Sequence, residues 1–381
     1  MRICHVSPHL PPDQAANALL PAQLGTWQRA RGDVVSFITH EPAQGAAPRA
    51  ATSAVIEIPR RRGSGLRRLF RLDAFALVSA VERALDSQQL GARDVLHLHS
   101  NGLIIEAAAR WARRRRIPHV LTLYGTEIWH YRARPLVDLF TTAYRGASAV
   151  TFYSRFLKER AVELGLDRPN LHVVYPAVSD AFQPHDAATR AQWRREAGIE
   201  ESRVILNVKR LHALAGQRFL IDAFAAVSRT RRDVRLLICG TGALRDSLEQ
   251  QARELGVADR VTFAGLVPND QVARYMAIAD VFALSSLLEA LPTVAVEALA
   301  AGTPVVSADH PGGVELHEVF GDDVAVVPKE DAAALATALL AALDTARRVG
   351  PHTAAEINRL FRPAAVLAAY DSVYAQVNAP S

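Results

Sequence analysis

The sequence has only two cysteines, and it lacks any run of about 18 uninterrupted apolar residues. Cys4 and Cys239 each lie inside an apolar, strand-like run, which is typical of small buried side chains in a reducing compartment. We therefore expect neither a disulfide framework, nor a cysteine zinc site, nor a membrane-spanning segment. The N-terminal stretch MRICHVSPHL has the pattern of a strand and not that of a secretion signal, so a cytoplasmic protein is expected.

Several catalytic signatures are also absent. The chain contains no Asp-x-Asp pair for a divalent-ion clamp, no Gly-x-Ser-x-Gly elbow and no phosphate loop ending in Gly-Lys-Ser/Thr. Hydrolase and nucleoside-triphosphatase functions therefore have little support. His97 and His99 alternate along a strand and share one face, but no third ligand lies nearby in the sequence, so we expect core or cleft-wall residues. No metal and no cofactor are expected.

The formal charge is +5, and much of the excess is arginine in two short blocks. These are PRRRGSGLRRLFR, residues 59–71, and RWARRRRIP, residues 110–118. Two interpretations stay open: solvated helix ends, or peripheral contact of residues 60–71 with an anionic membrane surface, since apolar residues interleave with those arginines. Nucleic acid is not an expected partner, because no nucleic-acid-binding signature accompanies the charge.

Short β-branched runs alternate with longer helical patterns, and a polar stretch between residues 179 and 202 interrupts them. The alternation predicts an α/β protein with two doubly wound, Rossmann-like domains facing a cleft. The predicted domains are residues 1–180 and 181–362, followed by a helix, 363–381, that packs back on the first domain. The runs predicted as strands are RICHVSP, VVSFITH, AVIEIP, VLHLHS, HVLTLYG, AVTFYS, VILNVKR, VRLLICG, VTFAGLV, VFALSS, PVVSA and VAVVP.

The segment SSLLEALPTVAVEALAAGTPVV, residues 285–306, is nearly all apolar but carries two acids. The pattern predicts a loop with Glu289, a helix that begins at Pro292 and has Glu297 in its second turn, and a stop at Gly302. The helix N-terminus suits a phosphate and the carboxylates suit paired hydroxyls, a combination that a nucleotide sugar offers. A solvated helix face and a loop charge are the alternative interpretation.

The longer stretch EALPTVAVEALAAGTPVVSADHPGGVELHE, residues 289–318, resembles the hallmark of the family 4 glycosyltransferases, retaining enzymes of the two-domain glycosyltransferase-B fold. The resemblance continues in LLICGTGALRDSLEQQARELGVADRVTFAGLVPNDQVARYMAIADVFALSS, residues 236–286, with its strand, Gly-x-Gly turn and helix. DVLHLHSNG and HVLTLYGTE resemble the N-terminal counterpart. The resemblance is dense in the C-terminal half of the chain and looser before it.

The resemblance implies a metal-independent, retaining transfer of a sugar from a nucleotide-diphosphate sugar to an acceptor hydroxyl. The acceptor would be a small molecule, a glycan or a lipid-linked molecule. Two alternatives stay open. One is a non-catalytic nucleotide-sugar-binding protein of the same fold, and the other is a transferase with an atypical donor.

The resemblance also implies roles for individual residues. Glu297 would bind the ribose hydroxyls, Glu289 the donor sugar and Arg210 the diphosphate, because a planar guanidinium suits phosphate. Together with Tyr124, Glu289 and Arg210 are the candidate catalytic residues. The remaining predicted donor-binding positions are Lys209, Gly240, Gly242, Leu266, Val267, Ala290, Leu291, Pro292 and Thr293.

The stretch NVKRLHALAGQRFLIDAF, residues 207–224, departs from the family pattern. Arg210 matches, but Ala215 stands where the family has a lysine, and a well-placed donor at a leaving group contributes roughly 3 kcal/mol. Lys209, in place of the usual glycine, is a replacement charge or a surface strand residue. The second interpretation is favoured, because strand neighbours point to opposite faces.

The first domain departs from the family as well. Tyr124 replaces a histidine that faces the reacting sugar, and its hydroxyl can donate a hydrogen bond but carries no positive charge at neutral pH. Ala15, Ala16 and Asn17 replace a glycine pair, and their side chains would hinder close backbone approach to a ligand. The predicted acceptor-side residues are Ala16, Asn17, His99, Glu127 and Trp129.

Overall fold

The computed structural model describes residues 1–13, 16–42, 47–49, 54–60, 72–133, 135, 137–199 and 203–379, with backbone only for 16, 17 and 72. Contacts divide the chain into two compact units, one of Met1–Pro176 with Ala364–Ser381 and the other of Ala177–Pro363. Ala15 and residues 61–71, most of the first arginine block, lie outside the described residues.

The first unit is built on a seven-stranded parallel sheet in the order β3-β2-β1-β4-β5-β6-β7. The strand β7 is a finding that the sequence patterns did not predict. The strands are β1 (Arg2–Ser7), β2 (Val34–His40), β3 (Val55–Ile58), β4 (Val95–His99), β5 (His119–Leu123), β6 (Ala149–Phe152) and β7 (Leu171–Val173). The helices before residue 177 are α1 (Ala16–Ala30), α2 (Leu72–Ser87), α3 (Leu103–Arg115), α4 (Thr126–Trp129), α5 (Leu139–Gly146) and α6 (Arg155–Ala161).

The second unit contains a six-stranded parallel sheet in the order β10-β9-β8-β11-β12-β13. Its strands are β8 (Arg203–Val208), β9 (Val234–Cys239), β10 (Val261–Gly265), β11 (Val281–Leu284), β12 (Val305–Ala308) and β13 (Val324–Val327). The helices of the second half are α7 (Ala187–Glu196), α8 (Gln217–Thr230), α9 (Arg245–Glu254), α10 (Asn269–Ile278), α11 (Thr293–Ala300), α12 (Pro311–Phe320), α13 (Ala332–Thr345), α14 (Pro351–Leu360) and α15 (Pro363–Asn378).

Both sheets have the doubly wound order, which confirms the predicted fold class. In each sheet the chain builds outward in one direction and then returns to the other side of the first strand. The direction reverses between β1 and β4 in the first sheet and between β8 and β11 in the second. In open parallel sheets, ligands bind at such a switch point, beyond the carboxyl ends of the strands.

The apolar runs are nearly continuous because helices cover both faces of each sheet. Every residue of β4, β5, β11 and β12 is buried. The covering helices bury one face each: α3 buries Ile104, Ala108 and Trp111 at helical spacing, and Arg116 in the left-handed conformation ends it. Buried surface of this kind stabilises by roughly 25 cal/mol per Å².

The helix α11 has the form that the segment 285–306 predicts, with one difference. Pro292 is the N-cap residue and the helix begins at Thr293, one position later than expected. Gly302 follows the C-cap with φ +85°, a conformation that glycine adopts without strain, and it ends the helix. Glu297 therefore lies in the second turn of α11, as predicted.

The terminal helix α15 belongs to the first unit from Ala364 onward. Tyr370 and Tyr374 are buried in that unit, and the Tyr374 hydroxyl lies 2.8 Å from Nδ1 of His97 on β4. The described part of the chain contains no helix both long and apolar enough to cross a membrane.

Candidate active site

The switch point of the second sheet brings together the loops that follow β8 and β11. These strands are direct neighbours, with Ile205 opposite Val281. Lys209 and Arg210 follow β8, and Glu289 lies in the loop that follows β11. Three predicted site residues therefore lie at one edge of one sheet.

Lys209 and Glu289 form an ion pair. Nζ of Lys209 lies 2.5 Å from Oε1 of Glu289, and the two side chains are 22% and 18% exposed. The interpretation of Lys209 as a surface strand residue is therefore wrong. The strand β8 ends at Val208, so the alternation of side chains that would turn Lys209 away does not extend to it.

Arg210 is exposed, and its guanidinium has no hydrogen-bond or ion-pair partner among the residues that the structure describes. Its backbone carbonyl accepts a 3.2 Å hydrogen bond from Nε2 of the buried Gln217. The backbone of Arg210 is thus held in place while its five donors are available to an anion.

Ala215, at the position of the missing lysine, is 1% exposed. Its carbonyl accepts a 3.1 Å hydrogen bond from the Ser285 hydroxyl, at the end of β11. The next residue, Gly216, has φ +64°, and a Cβ there would lie 2.0 Å from the Ser285 carbonyl oxygen. The turn therefore packs tightly on the chain after β11, and only glycine fits at position 216.

Gly240 and Gly242, which follow β9, pack against the segment that follows β8. A Cβ on Gly240 would lie 2.0 Å from the carbonyl oxygen of Lys209, and one on Gly242 would lie 2.1 Å from that of Leu211. The Leu211 amide also donates to the Thr241 carbonyl at 2.9 Å. The immediate reason for both glycines is thus close approach of two backbones, which fixes the segment that carries Lys209 and Arg210.

Glu297 has a mostly buried carboxyl group with no hydrogen-bond donor in the described parts of the chain. Burial raises the pKa of Glu297 to about 7. An unpartnered buried carboxyl group is costly, and such groups concentrate at functional sites. Hydroxyl groups of a ligand would supply the missing donors.

His310 was not predicted, and it borders the same site. Its side chain is fully buried, its Nδ1 accepts a 2.9 Å hydrogen bond from the Gly313 amide, and it caps α12. Burial, with a smaller contribution from Lys209, lowers the pKa of His310 to about 4. The sequence signal was the proline at 311, which commonly starts a helix directly after its cap.

The glycines after His310 hold the α11 loop in position. The Gly312 amide donates to the Glu289 carbonyl at 3.1 Å. A Cβ on Gly312 would lie 2.7 Å from Cδ of Pro292 and 3.0 Å from the carbonyl oxygen of Ala290. Ala290 and Pro292 are buried, whereas Leu291 and Thr293 are partly exposed. The loop residues Ala290 to Thr293 are thus fixed, with the start of α11 partly accessible.

The loop after β10, predicted to receive the base, is open to solvent. Leu266 is 73% exposed, an unusual position for a large apolar side chain, and Val267 is partly exposed. Gly265 precedes them with φ +70°, and its carbonyl accepts a 2.7 Å hydrogen bond from the Gly240 amide. The loop is therefore anchored at the same glycine turn that supports Lys209.

The switch point of the first sheet contains a cluster of three fully buried histidines. His5 on β1 lies opposite His97 on β4, and His99 lies two residues further along β4. One ring nitrogen of each lies within 4.8 Å of those of the other two. His97 and His99 are core residues, as expected, but sheet register adds a third histidine, His5, from a distant part of the sequence.

Hydrogen bonds determine the tautomers of two of these histidines. Nε2 of His5 donates to Oε1 of Gln28 at 2.7 Å, since a carbonyl oxygen only accepts. Burial lowers the pKa of His5 to about 4 and that of His99 well below its usual value, so both rings are neutral. Nδ1 of His5 then accepts from Nε2 of His99 at 2.8 Å.

The same chain of hydrogen bonds ends at Tyr124. Since Nε2 of His99 carries the proton, Nδ1 is an acceptor, and the Tyr124 hydroxyl lies 2.7 Å from it. The Tyr124 O–H group therefore donates into the interior of the unit, and Tyr153 is its second hydrogen-bond partner. At most one lone pair of the Tyr124 oxygen therefore remains to accept a hydrogen bond from a ligand.

Glu127 and Trp129 both lie on the short helix α4. Glu127 is buried, and its carboxylate accepts hydrogen bonds from the Gly125 amide at 2.9 Å and the Ser100 hydroxyl at 2.5 Å. Trp129 has a buried indole N–H without a partner among the described residues. The carboxylate of Glu127 is thus occupied in holding its own loop.

An open cavity of about 290 Å³ lies at the carboxyl ends of β4 and β5 within the first unit. Glu127 lines it, whereas His99 and Trp129 are not among its lining residues. Side chains of Ala16 and Asn17 lie outside the described parts of the structure. The lining residues are Asn101, Gly102, Glu106, Thr126, Glu127, His130, Tyr131, Arg132, Asp138, Leu139 and Phe140.

Two family models match the chain and together span most of it. Residues 22–182 match the model described as glycosyltransferase family 4, and residues 189–352 match that of the glycosyl transferases group 1. The chain belongs to the family 4, group 1 glycosyltransferases. It is therefore an enzyme that transfers glycosyl groups.

Proteins similar to this glycosyltransferase are also described as glycosyltransferases. An uncharacterized glycosyltransferase of Methanocaldococcus jannaschii is 29% identical over 67% of this chain and 68% of its own length. The GDP-mannose-dependent alpha-(1-6)-phosphatidylinositol monomannoside mannosyltransferase of Mycolicibacterium smegmatis is 33% identical over 61% of this chain and 62% of its own. Anabaena HepE, solved in complex with UDP, aligns with TM-score 0.74 and 20% identity, covering 98% of this chain and 99% of that one, which supports the glycosyltransferase-B fold.

The structure describes the second arginine block, residues 110–118, in full, but only Pro59 and Arg60 of the first block. Arg60 contacts its own unit, with hydrogen bonds to the Glu41 carbonyl at 2.6 Å and to Asp13 at 2.9 Å, and is not available to a membrane. In the second block, Arg110 and Arg115 pair with Glu82 and Asp86 of α2. That block is a solvated helix end.

Proposed function

We propose that this glycosyltransferase takes its sugar from a nucleoside-diphosphate donor that binds to the second unit. The carboxyl group of Glu297 carries the proposal: it is mostly buried, unpartnered among the described residues and located in the second turn of α11, at the switch point of the sheet. Ribose offers the paired hydroxyls that such an acceptor needs, and the amides at the start of α11 suit a phosphate. The complex of HepE with UDP agrees with this class of donor.

Charge on the departing diphosphate would be met by two cations. The guanidinium of Arg210 is free of protein partners within the described structure, and Lys209 is close by on the same loop. Donors placed where charge develops are the largest single contribution to many enzymatic rates. Lys209 would thus replace the lysine that is absent at position 215.

We propose retention of configuration without a protein base. In this mechanism an oxygen of the donor phosphate takes the acceptor proton as the new glycosidic bond forms on the face that the diphosphate leaves. The cavity beside Glu127 is the proposed acceptor side. Glu127 is unsuited as a general base, because both carboxylate oxygens already accept hydrogen bonds from its own loop.

Metal independence is part of the same proposal. The three clustered histidines are the one group of metal-ligating side chains found among the described residues, and the nitrogens of His5 and His99 are engaged in a hydrogen-bonded chain. Activity is expected to survive chelation with EDTA. Loss of activity on chelation, with recovery on added Mg²⁺, would contradict this part of the proposal.

The test of the donor class is transfer from a panel of UDP-, GDP- and ADP-linked sugars, detected by mass, together with thermal shifts by the free nucleotides. A saturable shift with at least one nucleoside diphosphate, lost in Glu297→Ala, is expected. The chain has Ala215 in place of a lysine, which favours one alternative donor, a sugar monophosphate. Binding of sugar phosphates but of no nucleoside diphosphate would replace the proposal with that alternative.

Two further proposals concern location. The mycobacterial relative is described by its name as acting on a phosphatidylinositol mannoside, and the remaining arginine-rich residues, 61–71, would suit an anionic lipid surface. We therefore propose a cytoplasmic enzyme that contacts membranes peripherally. Vesicle binding that persists after replacement of Arg61, Arg62, Arg67 and Arg68 by serine would contradict the contact.

A further inference from the structure

Another cavity, this one in the unit Ala177–Pro363, lies at the C-terminal end of α11, whereas the proposed donor site lies at the N-terminal end of that helix. Its volume is about 370 Å³. The walls are partly apolar, from Leu299, Val349 and Ile357, and partly cationic. The full lining is Pro184, His185, Arg190, Leu299, Ala300, Gly302, Arg348, Val349, Ala354, Ile357, Asn358 and Arg362.

Three guanidinium groups line this cavity, and none of its lining residues is an acid. Arg348 donates to the carbonyls of Ala279, Ala277 and Ala301 at 2.7, 3.0 and 3.0 Å, which uses three of its five donors. Burial, and after it the charge of Arg190, lowers the pKa of Arg348 to about 10. The positive charges are therefore close together and poorly compensated.

Arg362 also donates to backbone carbonyls. Its Nη1 donates to the Ser179 carbonyl at 3.0 Å and its Nη2 donates to the Phe182 carbonyl at 2.9 Å. The nearest carboxylate partner, Asp180, lies 3.7 Å from it and is 80% exposed, so it neutralises little of the charge. Structural roles as backbone clamps account for Arg348 and Arg362, but no carboxylate among the lining residues of the cavity compensates their charge.

Arg190 has no such structural role. It lies on α7, and its guanidinium has no hydrogen-bond or ion-pair partner within the described residues. Its Nε is completely shielded from solvent and unpartnered. A buried donor without an acceptor destabilises the fold, and native proteins contain few of them unless a ligand or water is the partner.

We propose that this cavity binds a small organic phosphate ester, with the phosphate against Arg190 and Arg348 and the organic portion against Leu299, Val349 and Ile357. Arginine forks match phosphate oxygens in pairs, and the guanidinium of Arg190, which has no protein partner within the described residues, gains an acceptor. A volume of about 370 Å³ exceeds that of an inorganic ion and accommodates a molecule with an apolar body.

The location gives the ligand a route to the proposed donor site. Leu299 and Ala300 line the cavity, and Glu297 lies on the same eight-residue helix, less than one turn earlier. A ligand that contacts the end of α11 and binds one conformation better than another will change donor affinity by that difference, and the donor will change ligand affinity equally.

Phenyl phosphate is a suitable probe, because it combines a phosphate with an apolar body. Its binding is measured by equilibrium dialysis on the full chain, with phenol as the uncharged comparison. The variant Arg190→Ala removes the unpartnered guanidinium, and Arg195→Ala is the matched control, an exposed arginine of the same helix. Arg210→Ala removes the proposed phosphate ligand of the donor site.

We expect at least tenfold weaker binding of phenyl phosphate in Arg190→Ala and unchanged binding in Arg195→Ala and Arg210→Ala. Phenol is expected to bind at least tenfold more weakly than phenyl phosphate. Wild-type affinity in a folded Arg190→Ala protein, a loss confined to Arg210→Ala, equal binding of phenol, or no saturable binding to the wild type would each overturn the proposal. If Arg190→Ala does not fold, Arg190→Lys replaces it, and unchanged binding in that variant has the same meaning, since lysine cannot form the fork.

Discussion

The ammonium group of Lys209 lies 2.5 Å from the carboxylate of Glu289, across the two loops at the switch point of the second sheet. Both side chains belong to the predicted site, and each is about four-fifths buried. Removing one partner leaves the other as a partly buried, uncompensated charge, which costs more than the pair contributes. The pair therefore holds Glu289 and a cation together at the position proposed for the donor.

The variant Lys209→Met tests whether that cation acts on the diphosphate. We expect the transfer rate kcat to fall about 100-fold, the effect of removing one donor at a developing charge. Steady-state kinetics of the variant and of Lys158→Met, which removes a lysine from the other unit, measure the effect. An equal and small change in both variants would mean that Lys209 is structural only.

A rescue experiment sharpens the same question. The double variant Lys209→Gly with Ala215→Lys restores the pattern of the family at both positions. We expect the double variant to have a kcat at least tenfold higher than that of Lys209→Gly alone, because one cation substitutes for the other. Recovery of the fold, seen by circular dichroism, without recovery of the rate would show that a charge at 215 does not reach the reacting group.

Donor affinity should depend on pH through Glu297. Burial raises its pKa to about 7, and hydroxyl groups bind better to the ionised form, so affinity for the donor nucleotide rises with pH. From about pH 6 to about pH 8 the ionised fraction rises about tenfold, and Kd should fall by up to that factor. Calorimetric titration of the wild type and of Glu297→Gln, in which the dependence should vanish, measures this.

The same group affects stability with a definite sign. A carboxyl group whose folded pKa lies above its unfolded value stabilises the fold below about pH 4.5, and this stabilisation is lost as the pH rises through about 7. Without ligand, Glu297→Gln should therefore unfold at a higher temperature than the wild type at about pH 8 and at a similar temperature at about pH 4.5. A constant difference at both pH values would mean that Glu297 has an ordinary pKa.

Tyr124→Phe should lower stability more than activity. The Tyr124 hydroxyl donates to His99, so its removal leaves Nδ1 of a buried histidine unpartnered at a cost of about 1–3 kcal/mol. Urea unfolding and transfer kinetics separate the two effects. Tyr275→Phe, which loses a hydroxyl contact with the Gln271 side chain in the other unit, is the control. A large loss of kcat with unchanged stability would return Tyr124 to the reacting centre.

Gly240→Ala should disrupt the loop that carries Lys209. Its φ of +145° disfavours a side chain, and a Cβ would lie 2.0 Å from the Lys209 carbonyl oxygen, so a loss of about 3 kcal/mol or more is expected. Gly256→Ala is the matched control, with φ +69° and open space, where only the backbone cost of about 1–2 kcal/mol applies. Similar losses in the two variants, measured by denaturant unfolding, would show that the Gly240 contact is not tight.

The sequence was sufficient for the doubly wound fold, because long apolar runs alternating with helical patterns leave few other arrangements. It was insufficient for β7, whose three residues are too few to show a strand pattern. Glu289, Arg210 and Gly240 could be assigned to one sheet edge, since each directly follows a strand or lies in the loop after one. Their roles toward a donor remain predictions.

Contacts between distant segments were beyond sequence reasoning. His5 joins His97 only through sheet register, and the direction of the Tyr124 hydroxyl depends on the amide oxygen of Gln28, three hydrogen bonds away through His99 and His5. The position of Lys209 was misjudged because the alternation rule was applied one residue past the end of β8. Each failure concerns a side chain whose partner is far away in the sequence.

The contact between Tyr374 and His97 also has a consequence for biosynthesis. Gln28 and His97 are translated before Tyr374, which follows them by 346 and 277 residues and whose hydroxyl lies 3.3 Å from Gln28 and 2.8 Å from His97. Domains of larger proteins generally fold as units during synthesis, N-terminal first. Here the polar interior of the N-terminal unit stays incomplete on the ribosome until the C-terminal unit has been made, so that unit must wait in an unfinished form, exposed to chaperones and proteases.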